Sequence, residues 1–141
     1  MTAHGRRTLH TGLRVTDLDV SLAFYNALGY QVVGVVDLGS NATITVLRFP
    51  DEVVGTLELV HRPADGAVQL GTGFNHLVVQ VEDLADACAG LVAAGIDAEP
   101  GEQGGTDDVR TAWLTDPDGY RIELVQWPRG HANGLSEADF A

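Results

Sequence analysis

One segment of this chain occurs twice. His10–Leu18 reads HTGLRVTDL, and His76–Leu84 echoes it as HLVVQVEDL. At nearly the same distance after each histidine, a short apolar run contains a single acid, which is Glu58 in the first copy and Glu123 in the second. The repeat predicts two copies of one supersecondary unit, each with one imidazole and one carboxylate on an otherwise apolar strand.

The hydrophobic pattern of the first copy predicts a βαβββ unit. Residues 9–15 alternate as in a half-buried strand, Thr16 or Asp17 can cap a helix, and Gly29 can end that helix. Three more strands follow, rich in β-branched residues and separated by turn signals, at residues 31–37, 43–49 and 57–61.

The second copy repeats this order. It predicts a strand at 75–81, a helix capped by Glu82 or Asp83 and ended by Gly95, and strands at 96–99, 110–115 and 121–127. The turn sequence at 116–119, Asp-Pro-Asp-Gly, predicts a hairpin between the last two strands.

The predicted fold class is therefore α+β, with paired βαβββ modules that form a curved mixed sheet around a cavity. The predicted boundaries are an N-terminal extension at 1–8, modules at 9–62 and 75–127, a linker at 63–74 and a tail at 128–141 that forms a peripheral arm. Residues 101–108, with two adjacent glycines and three acids, predict a mobile loop.

Composition limits the possible partners. All eight basic residues are arginines, and against twenty acids they leave a net charge of −12, which opposes nucleic-acid and anionic-membrane binding. The only cysteine, Cys88, excludes a disulfide framework and a thiolate-rich zinc site, and we expect it to be a buried structural thiol. Because the chain has neither a membrane-length apolar run nor a signal peptide, we expect a cytoplasmic protein.

The two histidines and two acids predict a metal site. Strand alternation places His10, Glu58, His76 and Glu123 at matching points of their repeats, where their side chains should face one concavity. Each glutamate alone also fits an outward-facing strand acid, so the phase match with the histidines carries the prediction. Two nitrogen and two oxygen ligands suit Ni, Co, Zn, Mn or Fe and leave two octahedral positions open. One chemistry of such a centre is proton abstraction next to a carbonyl group.

Two further residues are candidates for substrate binding. Arg14 shares a strand face with His10 and Gly12, so it can reach an anionic substrate, although a solvated edge arginine is equally compatible with the pattern. His61 follows the Glu58 strand and either lines the pocket or lies on its rim.

At these residues the chain resembles the vicinal oxygen chelate superfamily (glyoxalase, bleomycin resistance and dioxygenase proteins) and, within it, the bacterial glyoxalase I (lactoylglutathione lyase) family. The resemblance covers residues 9–127. It rests on the motifs His10–Val15, Phe24-Tyr25, Leu57–Leu59, Leu70–His76 and Asp116–Leu124.

The resemblance implies a cytoplasmic homodimeric lyase that detoxifies methylglyoxal, with sites at the subunit interface. It implies that His10, Glu58, His76 and Glu123 bind the metal, that Glu123 is the principal acid and base, and that Glu58 is its counterpart on the other side of an enediolate. A histidine as first ligand, where zinc-dependent members have glutamine, favours Ni or Co over Zn. Arg14 matches the arginine that binds the glutamyl carboxylate of the thiol substrate.

The chain departs from the family where glutathione would bind. Arg62 replaces an asparagine, and Glu102, Asp107 and Asp108 replace basic residues of the loop that precedes the last hairpin. An acidic loop does not attract a carboxylate, so the small-molecule substrate is expected to be the methylglyoxal adduct of some low-molecular-mass thiol, with mycothiol as an alternative to glutathione.

Two other functions are possible. Residues 123–128 resemble the C-terminal motif of methylmalonyl-CoA epimerase, although Glu58 replaces a glutamine of that family. A metal-free, bleomycin-resistance-type protein that binds a cationic ligand would suit the negative charge, but it would not need the four ligands.

Overall fold

The computed structural model describes residues 5–101 and 109–141. It divides into two compact units, Met1–Gln69 and Leu70–Ala141. The first unit contains four strands, one α-helix and a short 3-10 helix, in the order β1 (Thr11–Arg14), α1 (Leu18–Leu28), β2 (Gln31–Gly39), β3 (Ala42–Arg48), β4 (Leu57–His61) and the 3-10 helix Pro63–Asp65.

The second unit has the same order of strands and helix. Its elements are β5 (Leu77–Gln80), α2 (Leu84–Ala93), β6 (Glu99–Pro100), β7 (Arg110–Thr115), β8 (Arg121–Gln126) and the 3-10 helix Glu137–Phe140. Each unit is a βαβββ module, as the repeat predicts.

Each unit has one four-stranded mixed sheet. The strand order is β1-β4-β3-β2 in the first sheet and β5-β8-β7-β6 in the second. The first strand of each module runs parallel to the last, and the other neighbours are antiparallel. The α+β class is confirmed.

Strand alternation gives each sheet a buried face. In the first unit, Leu13, Leu57 and Leu59 are buried, and in the second unit Ile122 and Leu124 are fully buried. Glu58 and Glu123 lie between these residues in sequence and therefore project from the opposite surface, which we call the site face. The apolar neighbours of each acid thus fix its direction.

The helix ends match their sequence signals. The Asp17 carboxylate accepts a hydrogen bond from the amide of Val20, and the Asp83 carboxylate accepts one from the amide of Asp86. Gly29 ends α1 in the left-handed conformation, at φ 119°. Both turns after the helices use glycine, since Gly95 has φ 83° just after the end of α2.

The strand predicted near Ile96–Glu99 exists as β6 but begins only at Glu99. The amide of Ile96 donates to the carbonyl of Leu91 and so closes the end of α2, and the amide of Gly95 bonds to Val92. A strand cannot begin where the backbone completes a helix cap, so β6 pairs only through Glu99 and Pro100.

The tail, predicted as a peripheral arm, makes side-chain contacts with its unit and within itself. The His131 ring stacks on Trp127 at 4.4 Å between centroids, and its Nε2 lies 2.6 Å from the Asp139 carboxylate. The Asn133 side chain accepts a hydrogen bond from Gln80 of β5. The loop predicted to be mobile spans residues 101–108, and residues 102–108 are not among the described residues.

Two other sequence expectations concern α2 and membranes. Cys88 is half-buried on α2, and burial raises the pKa of its thiol, which disfavours the reactive thiolate. Within residues 5–101 and 109–141, no helix has the length and apolar character that a membrane crossing requires.

Candidate functional site

The two histidine and glutamate pairs occupy the same positions in their sheets. Glu58 lies opposite Gly12 in the pairing of β1 with β4, and Glu123 lies opposite Val78 in the pairing of β5 with β8. Each histidine, His10 or His76, is two residues before the partner of its glutamate. The repeat in the sequence therefore corresponds to a repeat in strand register.

Each pair brings an imidazole nitrogen close to a carboxylate oxygen. Nε2 of His10 is 3.1 Å from Oε2 of Glu58, with 40% and 20% of the two side chains exposed. Nε2 of His76 is 3.8 Å from Oε1 of Glu123, with 31% and 24% exposed. All four groups are accessible from the site face, as the binding of a small ligand requires.

The donor chemistry of each pair fits a borderline divalent cation. Neutral imidazole and carboxylate are ligands of Zn, Ni, Co and Fe, and each unit supplies one of each. Among residues 5–101 and 109–141, neither unit by itself gathers three or more potential ligands. Each unit thus offers a half-site with two donors, and a complete site of four donors needs two half-sites.

The second half-site has additional neighbours. Nδ1 of His76 is 2.5 Å from the carboxamide oxygen of Asn75, and the ring meets Trp113 edge-on at 5.1 Å between centroids. The guanidinium of Arg121 lies over the Trp113 ring at 5.2 Å and donates to the hydroxyl of Thr115. Arg121 also forms an ion pair with Glu99, at 3.8 Å.

The sequence reasoning missed these neighbours. Trp113 lies opposite Glu123 in the pairing of β7 with β8, and Arg121 is two residues before Glu123, so strand alternation puts both on the site face. That signal was available once the hairpin register was assigned. Asn75 had no comparable signal beyond its place next to the histidine.

Arg14 lies on the same strand face as His10, but its guanidinium is engaged. It donates to the carbonyl of Gly66 at 2.8 Å and to the carbonyl of Ala67 at 3.1 Å. The amide of Val68 donates to the hydroxyl of Thr16. Arg14 and Thr16 therefore hold the first part of the predicted linker against the end of β1.

The other two candidate substrate-binding residues lie away from Glu58. His61 ends β4 three residues after Glu58, so alternation gives it the buried face that Leu57 and Leu59 share. Arg62 is exposed and pairs with Asp65, at 3.6 Å between Nε and the carboxylate. The structure thus groups each metal-ligand candidate with its partner but does not group these two residues with them.

Comparison with known proteins identifies the class. Residues 7–124 match the sequence profile of the Glyoxalase/Bleomycin resistance protein/Dioxygenase superfamily. The chain is 38% identical over 136 residues to the probable lactoylglutathione lyase of Vibrio cholerae, with 89% of this chain and 94% of that protein covered. It is 36% identical over 131 residues to the lactoylglutathione lyase of Neisseria meningitidis, at 88% and 93% coverage.

A solved structure supports the same conclusion. The trypanothione-dependent glyoxalase I of Leishmania major superposes with a TM-score of 0.72 at 30% identity, with 86% of this chain and 87% of that chain covered. The chain therefore belongs to the Glyoxalase/Bleomycin resistance protein/Dioxygenase superfamily. Within it, the expectation of an enzyme like lactoylglutathione lyase is confirmed by these named relatives.

Proposed function

We propose that this chain is a metal-dependent glyoxalase that isomerises the hemithioacetal of methylglyoxal and a low-molecular-mass thiol to a hydroxyacyl thioester. The observation that carries the proposal is the pair of His–Glu half-sites in equal strand register, in a chain with lactoylglutathione lyases as relatives. His10, Glu58, His76 and Glu123 would hold one divalent cation. Ni or Co is the proposed metal, with Zn less favoured. A bound cation would supply Lewis acidity toward the two vicinal oxygens of the substrate.

The protein groups would move the protons. Glu123 would take the proton from the carbon that bears sulfur and return it to the adjacent carbon. The hydroxyl proton would pass from the oxygen on the first carbon to the oxygen on the second, and Glu58 would carry it. One C–H bond is broken and one is formed, so the thiohemiacetal carbon is oxidised to a thioester while the ketone is reduced to an alcohol. No external oxidant is required.

We propose a homodimer in which each site combines two half-sites from different subunits. Each unit of the chain supplies only two donors, whereas metal sites of this class have three or four protein ligands. A twofold axis converts two half-sites per chain into two equal sites per dimer.

The thiol is the least constrained part of the proposal. The Leishmania relative is described as trypanothione-dependent, so the thiol differs among proteins that share this fold. We propose Arg14 and Arg62 as residues for the anionic part of the thiol, which requires their present backbone and carboxylate partners to be exchanged for substrate. His61 lies on the buried face of its strand, so its position does not support a role in binding the thiol.

Complementation between inactive variants tests the shared site. His10→Ala and His76→Ala proteins, co-expressed with different tags, should form heterodimers with one intact site, and a random mixture should recover about a quarter of wild-type activity. His10→Ala with Glu58→Ala is the matched control, because both changes fall in the same half-site and no intact site can form. Recovery of activity in both mixtures, or in neither, would contradict a site that is shared between two subunits.

A substrate panel tests the reaction. Protein loaded with Ni or Co should isomerise methylglyoxal adducts of glutathione or mycothiol, and the acidic residues at 102, 107 and 108 predict weak use of glutathione. Epimerisation of methylmalonyl-CoA without glyoxalase turnover would favour the epimerase. Tight binding of a bleomycin-type cation without bound metal would favour the binding protein.

A further inference from the structure

The two histidines of the half-sites differ in the hydrogen bonds that their rings can make. Nδ1 of His76 is 2.5 Å from the carboxamide oxygen of Asn75, which can only accept a hydrogen bond. For this contact to be a hydrogen bond, a neutral His76 ring must carry its proton on Nδ1, which leaves the lone pair on Nε2.

The distance to the carboxylate agrees with this tautomer. Nε2 of His76 is 3.8 Å from Glu123, beyond hydrogen-bond range, as expected for two atoms that both carry lone pairs. Nε2 of His10 lies closer to its glutamate, at 3.1 Å from Oε2 of Glu58. Leu9 precedes His10, so the first half-site has no side-chain acceptor at the position equivalent to Asn75.

We propose that Asn75 is a positioning residue that keeps the His76 proton on Nδ1, so that Nε2 faces the site with its lone pair available to a divalent cation. Trp113 assists by restricting the orientation of the ring, at 5.1 Å. The ligand part of this inference rests on the proposed function, whereas the tautomer part does not.

The size of the effect follows from the general behaviour of such partners. Loss of a hydrogen bond to a ligating histidine typically lowers metal affinity by about 10- to 100-fold. The Asn75 contact is exposed to solvent, and water can replace part of it. We therefore expect a loss near the lower limit, about tenfold.

Nitrogen NMR of the metal-free full-length protein measures the tautomers directly. Long-range proton–nitrogen correlation at an alkaline pH should show His76 protonated on Nδ1. In Asn75→Ala the His76 ring should become a mixture of tautomers. Asn75→Asp should restore the wild-type pattern, because a carboxylate oxygen also accepts. Leu9→Ala, at the equivalent position before His10, should leave His76 unchanged.

Competition for Co²⁺ then links the tautomer to binding. Asn75→Ala should weaken Co²⁺ about tenfold, Asn75→Asp should restore it, and Leu9→Ala should change it less than twofold. An unchanged His76 tautomer in Asn75→Ala would overturn the inference, as would an Nε2-protonated His76 in the wild type. If His76→Ala itself binds Co²⁺ like the wild type, the proposed ligand assignment fails while the tautomer result still stands.

Discussion

The two units of this chain are nearly equal as scaffolds and unequal as half-sites. Both place a glutamate between buried apolar residues and a histidine two residues before the partner of that glutamate. The second pair adds Asn75 and Trp113, and its imidazole and carboxylate stand farther apart. Duplication thus preserves the register that the core requires, while the residues beside the histidine and glutamate differ between the two half-sites.

If the scaffolds are equal, equivalent core truncations should cost the same. Leu59 and Leu124 each follow the glutamate of their unit and are fully buried. Leu59→Ala and Leu124→Ala should each lower the free energy of unfolding by about 2–5 kcal/mol, from lost transfer and cavity formation. Denaturant titration monitored by circular dichroism measures this. If the two losses of unfolding free energy differ by more than about 3 kcal/mol, one unit contributes most of the stability.

If the half-sites are unequal, their glutamates should differ in catalysis. Glu123→Gln keeps a neutral ligand of similar shape but removes the base, so turnover should fall by at least about 10²-fold. Glu58→Gln should lose less turnover, because Glu58 handles only the oxygen-bound proton. Steady-state rates on the preferred hemithioacetal, with metal content equalised, measure both. Equal losses of turnover in the two variants would contradict the proposed difference in role between Glu123 and Glu58.

The tail exists only in the second unit and should respond to pH. Hydrogen bonds to Asp139 and Ala132 raise the pKa of His131, and bonds from Ser136 and His131 lower the pKa of Asp139. The stabilisation from His131 is lost as pH rises through its raised pKa, and that from Asp139 is lost as pH falls through its lowered pKa. Tail attachment should therefore be strongest between these two values.

Trp127 reports on this attachment, because it stacks on His131. Its fluorescence should change at both ends of that interval, and His131→Ala should abolish the change at high pH. A Trp127 signal that is independent of pH in the wild type would contradict this account of the tail.

The sequence predicted the scaffold well because core burial imposes periodic patterns. Asp17, Gly29 and Asp83 act at the helix ends where the sequence put them, and Leu57–His61 has the predicted bounds. The strand predicted at Ile96 failed because an apolar residue that closes a helix looks the same in sequence as one that begins a strand.

Side-chain partners were less predictable than the backbone. The bonds of Arg14 to Gly66 and Ala67 depend on the path of a segment without periodicity. The contact of Asn75 with His76 depends on one rotamer, and that of Trp127 with His131 depends on how the tail folds back. Strand alternation did fix which face carries Glu58 and Glu123, which was the essential part of the site.

Metal analysis of four single variants tests the central claim most directly. Wild-type protein, loaded with Ni or Co and dialysed, should retain about one ion per subunit. His10→Ala, Glu58→Ala, His76→Ala and Glu123→Ala should each retain far less, while His131→Ala, a histidine outside both half-sites, should match the wild type. Full retention in any of the four half-site variants would contradict the assignment of that residue, and full retention in all of them would refute the shared four-ligand centre.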